Sequence, residues 1–592
     1  MKEFLKSLLA SVLGTFLAGA LCAFLLLVLI VAGLSASGGG APTVTVRPGT
    51  LLVVGHGLVV NDTPAHGKAG LGALLGDEPR PTVDLYRALT ALELAAKDRN
   101  IVGVVIAGEI EAGVVQLGEL RQAIAAFRKE SGKPVFAWIE NGSQGEYYLA
   151  SVADQVAMHP SGELELKGLA ANNLYFGETL RTLGIGVQVT KVGKYKSAVE
   201  PFLGDRMSEP SREQATQLVQ GVWSRLVGQI AQSRKLTNAA LNRAADAGGI
   251  FPAKKALALK LVDALQQRDE FIERARKAGA AVDDSETSFR QVSLARYADK
   301  VQLPRGADKV AVVYAEGEIV DGWGGPGLVG GDRLARDLRV LRGDKSVKAV
   351  VLRVNSPGGS AFASDVVARE VGLLKAQGIP VVVSMGDVAA SGGYYMGCVG
   401  DSIFALPNTI TGSIGVFALL PNTQQLFGEK LGLNYETVEL GELSAGWRPD
   451  RPLGEKERAV MQTMINEIYN DFLNTVAEGR NMSKSNVAAL AEGRVYSAID
   501  AKELHLIDDF GGINRAILAA ARKSKTTEYR VVSYPEQEDW LSQLLNKEEM
   551  AKTQWAMAAK ASGLPIETIK EAEKIQHLVG PQYLLPWSVK MH

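Results

Sequence analysis

Residues Asn141–Asp154 read NGSQGEYYLASVAD, and residues Asp387–Asp401 read DVAASGGYYMGCVGD. The two stretches are one segment written twice. About fifty residues further on the copies continue as VGKYKSAVE (Val192–Glu200) and LGELSAGWR (Leu440–Arg448). They differ in complementary ways. Ser391 stands where the first copy has Gln144, and Lys196 stands where the second has Ser444. One copy holds a candidate nucleophile and the other a candidate base, which points to a single site assembled from two halves.

The duplication extends along most of the chain, at an offset of about 245–248 residues. Ile101–Ala107 (IVGVVIA) matches Val347–Arg353 (VKAVVLR), and Pro134–Glu140 (PVFAWIE) matches Pro380–Gly386 (PVVVSMG). Gly249–Asp263 matches Arg494–Asp508, and Thr50–Asn61 matches Lys309–Asp321, in the same order in both halves. Apolar β-branched runs of four to seven residues suit strands buried on both faces, the habit of parallel sheets. Between them, Val83–Lys97, Val114–Lys129, Leu334–Leu341 and Ser364–Ala376 carry helical periods. Each half is therefore predicted to be an α/β unit. The expected divisions are residues 1–45 (anchor and linker), 46–290 (first repeat), 308–535 (second repeat) and 536–592 (a tail expected to be helical, with an amphipathic candidate at Asp539–Ala559).

Composition narrows the function. Of 592 residues 46% are hydrophobic and 22% charged, and the net charge is −1. No field or basic run favours a nucleic acid. The two cysteines, Cys22 and Cys398, form no disulfide framework, and the six histidines are not at metal-ligand spacing from them. No metal or other cofactor is expected. Leu8–Leu34 is nearly all apolar, and 27 helical residues span about 40 Å, more than the ~30 Å hydrocarbon core. Lys2 and Lys6 precede the run and Arg47 is the next charge, so the positive-inside rule puts the N-terminus in the cytoplasm. A single-pass anchor is expected; a cleaved signal peptide is the rival reading.

Three further segments carry chemistry. In VLRVNSPGGSAFAS (Val351–Ser364) a strand runs through consecutive glycines into a helix, so backbone N–H groups can face an oxyanion or simply make a tight turn. Ser391 follows a strand and is crowded by small residues, which fits either a projecting nucleophile or a helix N-cap. A serine needs a base, and all six histidines lie outside these motifs. Lysine is the other candidate, provided burial lowers its pKa from ~10.4. VTKVGKYKSAVEPF offers Lys191, Lys194 and Lys196, and the repeat alignment favours Lys196.

Together SPGGS, AASGGYY, TGSIGVF (Thr411–Phe417) and YKSAVEPF (Tyr195–Phe202) resemble the signal peptide peptidase A (protease IV) family, in its long tandem-domain form. This family belongs to the ClpP/crotonase-like group of serine peptidases. The resemblance implies two tandem ClpP/crotonase-like α/β domains after one N-terminal transmembrane helix. It implies Ser391 as nucleophile, Lys196 as general base, Ser413 as the hydroxyl that holds the lysine, and Gly359 and Gly392 as oxyanion donors. It further implies released signal peptides and other apolar peptides as substrates. The implied setting is a homotetramer on the periplasmic face of the bacterial inner membrane. Two other readings stay open from the residues alone: a crotonase-like acyl-CoA-binding enzyme, and a non-catalytic membrane scaffold.

Overall fold

Six strands, all parallel, form the sheet of the first half in a computed structural model that describes residues 46–64, 80–301, 305–325, 327–535 and 580–584. Their order is Ala264–Leu265, Gln155–Met158, Val135–Ile139, Ile101–Ala107, Thr50–Gly55 and Gln291–Ser293. The runs read as strands are buried on both faces: all six residues of Thr50–Gly55 and all five of Val135–Ile139 are buried. That burial explains why they are continuous apolar runs rather than alternating ones.

The second half repeats the order. Asp509–Phe510, Ser402–Ala405, Val381–Ala390, Val347–Ser356, Asp308–Glu316 and Tyr529–Tyr534 follow one another in parallel. Ile410–Gly412 and Val495–Ser497 complete eight strands beside the end of Val381–Ala390. The duplication holds down to single hydrogen bonds. Tyr147 Oη donates to Leu261 O at 2.8 Å, and Tyr394 Oη to Leu506 O at 2.9 Å. Val135 N–H donates to the Asp154 carboxylate and Val381 N–H to that of Asp401. Arg234 pairs with Asp263 as Arg480 does with Asp508.

The helices form where the pattern predicts. Leu85–Lys97 starts at Asp84, whose side chain accepts the Arg87 N–H at 2.9 Å, and satisfies one orphan donor of the first turn. Leu85, Leu89 and Leu92, spaced three and four apart, are all buried, so one stripe of the helix faces the core.

A third, mixed sheet joins the two halves. Its order is Leu328–Gly330, Glu318–Val320, Gly358–Ser360, Gly580–Leu584, Val416–Asn422 and Gly186–Val192. The last strand belongs to the first half and pairs antiparallel with Val416–Asn422 of the second over seven residues. Gly580–Leu584 corrects the expectation of a helical tail for those five residues: they are a strand, antiparallel to Gly358–Ser360 on one side and Val416–Asn422 on the other. Gly580 and Pro581 disfavour a helix interior, and two open strand edges offer backbone partners instead. The candidate helix Asp539–Ala559 and the candidate anchor Leu8–Leu34 lie outside the described residues. Among the described residues no helix is long and apolar enough to cross a membrane.

Candidate active site

Ser391 caps the helix Gly392–Gly397 at the end of the strand Val381–Ala390. Its φ of 56° and ψ of −115° lie where non-glycine residues are rarely found. Its own N–H donates to Gly412 O at 2.8 Å, and its carbonyl accepts the Tyr395 N–H at 2.8 Å, so the strained turn is held from both sides. Serine does cap the helix, but its side chain makes no cap hydrogen bond and is left for other work.

Lys196 reaches this hydroxyl from the first half. Of the three candidate lysines, Lys191 and Lys194 are exposed, and only Lys196 is buried. Its Nζ lies 2.6 Å from Ser391 Oγ, 3.1 Å from Ser413 Oγ and 3.4 Å from Ser413 O. A neutral amine has two N–H bonds and one lone pair. The two Ser413 oxygens can accept the two N–H bonds, which leaves the lone pair to the Ser391 hydroxyl. Lys196, Ser391 and Ser413 are each 0% exposed, and burial drives the lysine well below its ordinary pKa.

The lysine loop fits because two glycines make room for it. A Cβ on Gly493 would lie 2.7 Å from Lys196 N, and one on Gly415 would lie 3.3 Å from Lys196 Cδ. Tyr195 N–H donates to Glu492 O at 2.9 Å, which ties the loop to the second half. Gly415 is the last glycine of Thr-Gly-Ser-Ile-Gly and could have been flagged from that motif. Gly493 carries no local signal.

Gly359 and Gly392 lie side by side. A Cβ on Gly392 would lie 3.3 Å from Gly359 N and 2.5 Å from Ser364 Oγ. Gly359 has φ +149°, and a Cβ there would be 2.0 Å from Ile319 O. The strand Gly580–Leu584 pairs beside this turn, and Leu584 packs against Ala198, Val199, Phe417 and Leu419, next to the lysine loop.

The positions of the mismatched copies are not brought to a second site. Gln144 is buried and accepts the N–H groups of Lys167 and Gly168 at 3.0 and 3.1 Å. Ser444 sits in an exposed turn and donates to Gly441 O. Ser413→Ala removes one acceptor from Nζ while leaving the main-chain oxygen. A hydrogen bond of this kind is worth about 0.5–1.5 kcal/mol net, so kcat should fall two- to tenfold with KM unchanged. Steady-state kinetics on an apolar reporter peptide would check this.

Comparison with known proteins finds the same duplication. The sequence profile of Peptidase family S49 matches residues 127–283 and again residues 374–527, once in each half. Protease 4 of Salmonella typhi is 35% identical over 538 residues, covering 88% of this chain and 86% of that protein. Protease 4 of Haemophilus influenzae is also 35% identical, over 83% of this chain and 82% of its own length. The chloroplastic serine protease SPPA of Arabidopsis thaliana is 31% identical over 73% of this chain and 64% of that protein. With two matched stretches and this likeness along most of its length, the chain belongs to peptidase family S49 and is a serine peptidase.

Proposed function

We propose that the protein is a membrane-anchored endopeptidase with a Ser391–Lys196 dyad, built on two ClpP/crotonase-like repeats, that degrades released signal peptides and other apolar peptides. The observation that carries the reading is the 2.6 Å contact between Nζ and Oγ, made by a lysine that is wholly buried. Neutral Lys196 takes the Ser391 proton as Oγ attacks a peptide carbonyl. The N–H groups of Gly359 and Gly392 receive the oxyanion. Lys196 then protonates the leaving amine, and the peptide is left as an ester on Ser391. Water attacks that ester with Lys196 again as base, and the proton returns to Oγ. Ser413 keeps the lysine oriented throughout.

The groove between Gly358–Ser360 and Val416–Asn422 favours an extended peptide, since Gly580–Leu584 already lies there as an antiparallel strand. The apolar cluster under Leu584 favours an apolar side chain. Leu8–Leu34 serves as the anchor, with the catalytic halves on the periplasmic side of the inner membrane, in a homotetramer.

A serine-directed fluorophosphonate should label Ser391 and nothing else, and its rate should track peptide hydrolysis across pH. The active lysine is the uncharged one. Activity therefore rises as pH increases through the lowered Lys196 pKa, and is lost below it. A reagent that leaves Ser391 unmodified in an active preparation, or labelling that is flat with pH, would sink the dyad.

A further inference from the structure

The two halves are also locked by a buried ionic cluster a few residues from Ser391. Arg353, on the strand Val347–Ser356, has a side chain that is 0% exposed. Its Nε and Nη2 donate to Asp62 Oδ1 at 3.0 and 2.8 Å, and Nη2 also donates to Glu119 Oε1 at 3.1 Å. Asp62 and Glu119 belong to the first half, and both are buried. Nη1 donates to Ser384 Oγ and Met385 O on the strand that ends at Ser391.

Each half then caps a helix of the other. Asp387, of the second half, accepts the Val115 N–H at 2.7 Å, at the start of the first-half helix Val114–Ser131. Glu119, on that same helix, accepts the Ile513 N–H at 2.9 Å, at the start of the second-half helix Ile513–Lys523. The residue before each helix is glycine, which supplies no cap of its own. A Cβ on Gly113 would lie 1.7 Å from Asp387 Oδ2, and one on Gly512 would lie 1.9 Å from Glu119 Oε2. The glycines leave space for a carboxylate that comes from the opposite repeat.

Asp387 sits at an irregularity in the nucleophile strand. Val354 pairs with Met385, but Ser356, two residues on, pairs with Ala389, four residues on. Gly386, Asp387 and Val388 stand opposite the single residue Asn355, a bulge of the kind that re-aims a strand end. Asn355 fills it: its Oδ1 accepts the Val388 N–H at 3.2 Å, and its Nδ2 donates to Asp62 at 3.2 Å. The same strand continues from Asn355 into the Gly358–Gly359 turn.

We infer that Asp387, anchored with Arg353 between the halves, is a positioning residue that holds the bulge and thereby sets Ser391 at hydrogen-bond distance from Lys196. This rests on the Ser391–Lys196 reading above. Asp387 is the one member of the cluster that touches the opposite repeat's backbone from the nucleophile strand itself. Burial pushes its carboxyl up to about 6. The Val115 N–H and Arg353 oppose that rise, while Asp62 and Glu119, the other acids facing it, reinforce it.

The test uses the full chain, with kcat, KM and the fluorophosphonate labelling rate measured from pH 5 to 9. Asp387→Ala should lower kcat and the labelling rate together by about 10- to 100-fold, the scale expected when the reacting groups are misplaced by up to about 1 Å, with KM within twofold. Asp387→Asn keeps an acceptor for Val115 but no charge. It should recover part of the loss, and its pH profile should lack the contribution of the Asp387 carboxyl near 6. If Asp387→Ala does not fold, the Asn variant alone carries the test. A folded Asp387→Ala with wild-type kcat, a loss expressed in KM, or an Asn variant with the wild-type pH profile would overturn the inference. Failure of the dyad itself is separable, because it would appear as an unlabelled Ser391 in the wild type.

Discussion

Replacing Lys196 with Met should reduce kcat for an apolar reporter peptide by at least ~10³-fold, because the serine then has no base and the leaving amine no acid. Lys194→Met, two residues away, should remain near wild type, since Lys194 is exposed and its Nζ stands over the Tyr195 ring at 5.3 Å. The methionine variant should fold at least as well as the parent. Met has a similar length and carries no charge to desolvate. The sign follows from linkage. The folded lysine has a lowered pKa and the unfolded one ~10.4. Between those two values the unfolded chain binds more protons, so wild-type stability rises with pH across that window. The Met variant lacks that slope, so its advantage in Tm is larger at neutral pH than near pH 10. Thermal denaturation at the two pH values, beside the kinetics, checks both halves of the claim. Hydrolysis at the wild-type rate in Lys196→Met, or equal loss in Lys194→Met, would remove the lysine from the mechanism.

Gly359→Ala is expected to cost about 10²–10³ in kcat, the usual loss when one oxyanion donor is displaced. A Cβ at this residue would stand 2.0 Å from Ile319 O, and the opposing atom is backbone rather than a flexible side-chain end. The turn must therefore move, and its N–H moves with it. A control separates this from backbone strain in general. Gly378 also has positive φ, at +79°, but a Cβ there meets nothing within 4 Å. Gly378→Ala should lose some stability and no activity. Equal kcat for folded Gly359→Ala and the parent would assign the oxyanion to other donors.

Much of this architecture is legible in the residues. Ile101–Ala107 is a strand over the residues read as one, because a nearly continuous apolar run rich in β-branched residues suits a strand covered on both faces. The helix starts near Val83 and Val114 follow from apolar spacing alone, and the structure begins them at Leu85 and Val114. The contacts that complete the site are another matter. The repeat singles out Lys196 over Lys194, but nothing local marks it as the buried amine; the Tyr195–Glu492 and Gly193–Lys196 main-chain bonds hold the loop that carries it. Nor does the stretch before Ser391 announce that Asp387 will cap a helix 272 residues earlier in the chain. Such pairings belong to the register between halves, which periodicity within a half does not encode. The strand Gly580–Leu584 is not legible in the sequence for a related reason. Its partners are free strand edges elsewhere, and five residues with a proline carry almost no strand signal of their own.

That strand changes how substrate affinity should be understood. It takes both backbone edges beside the Gly358–Gly359 turn, and it packs against the helix that begins at Gly392, above a Ser391 with no exposed surface. A peptide that pairs with either edge must first displace it. A tethered segment competes as though dissolved at up to ~mM concentration, so the intrinsic affinity of the groove is masked by a rival that never diffuses away. On the peptide-binding reading proposed above, dilute peptides with weak pairing would be turned back. Peptides delivered at high local density, or with stronger apolar side chains than Leu584, would gain entry. Discrimination would then depend on supply as well as on sequence.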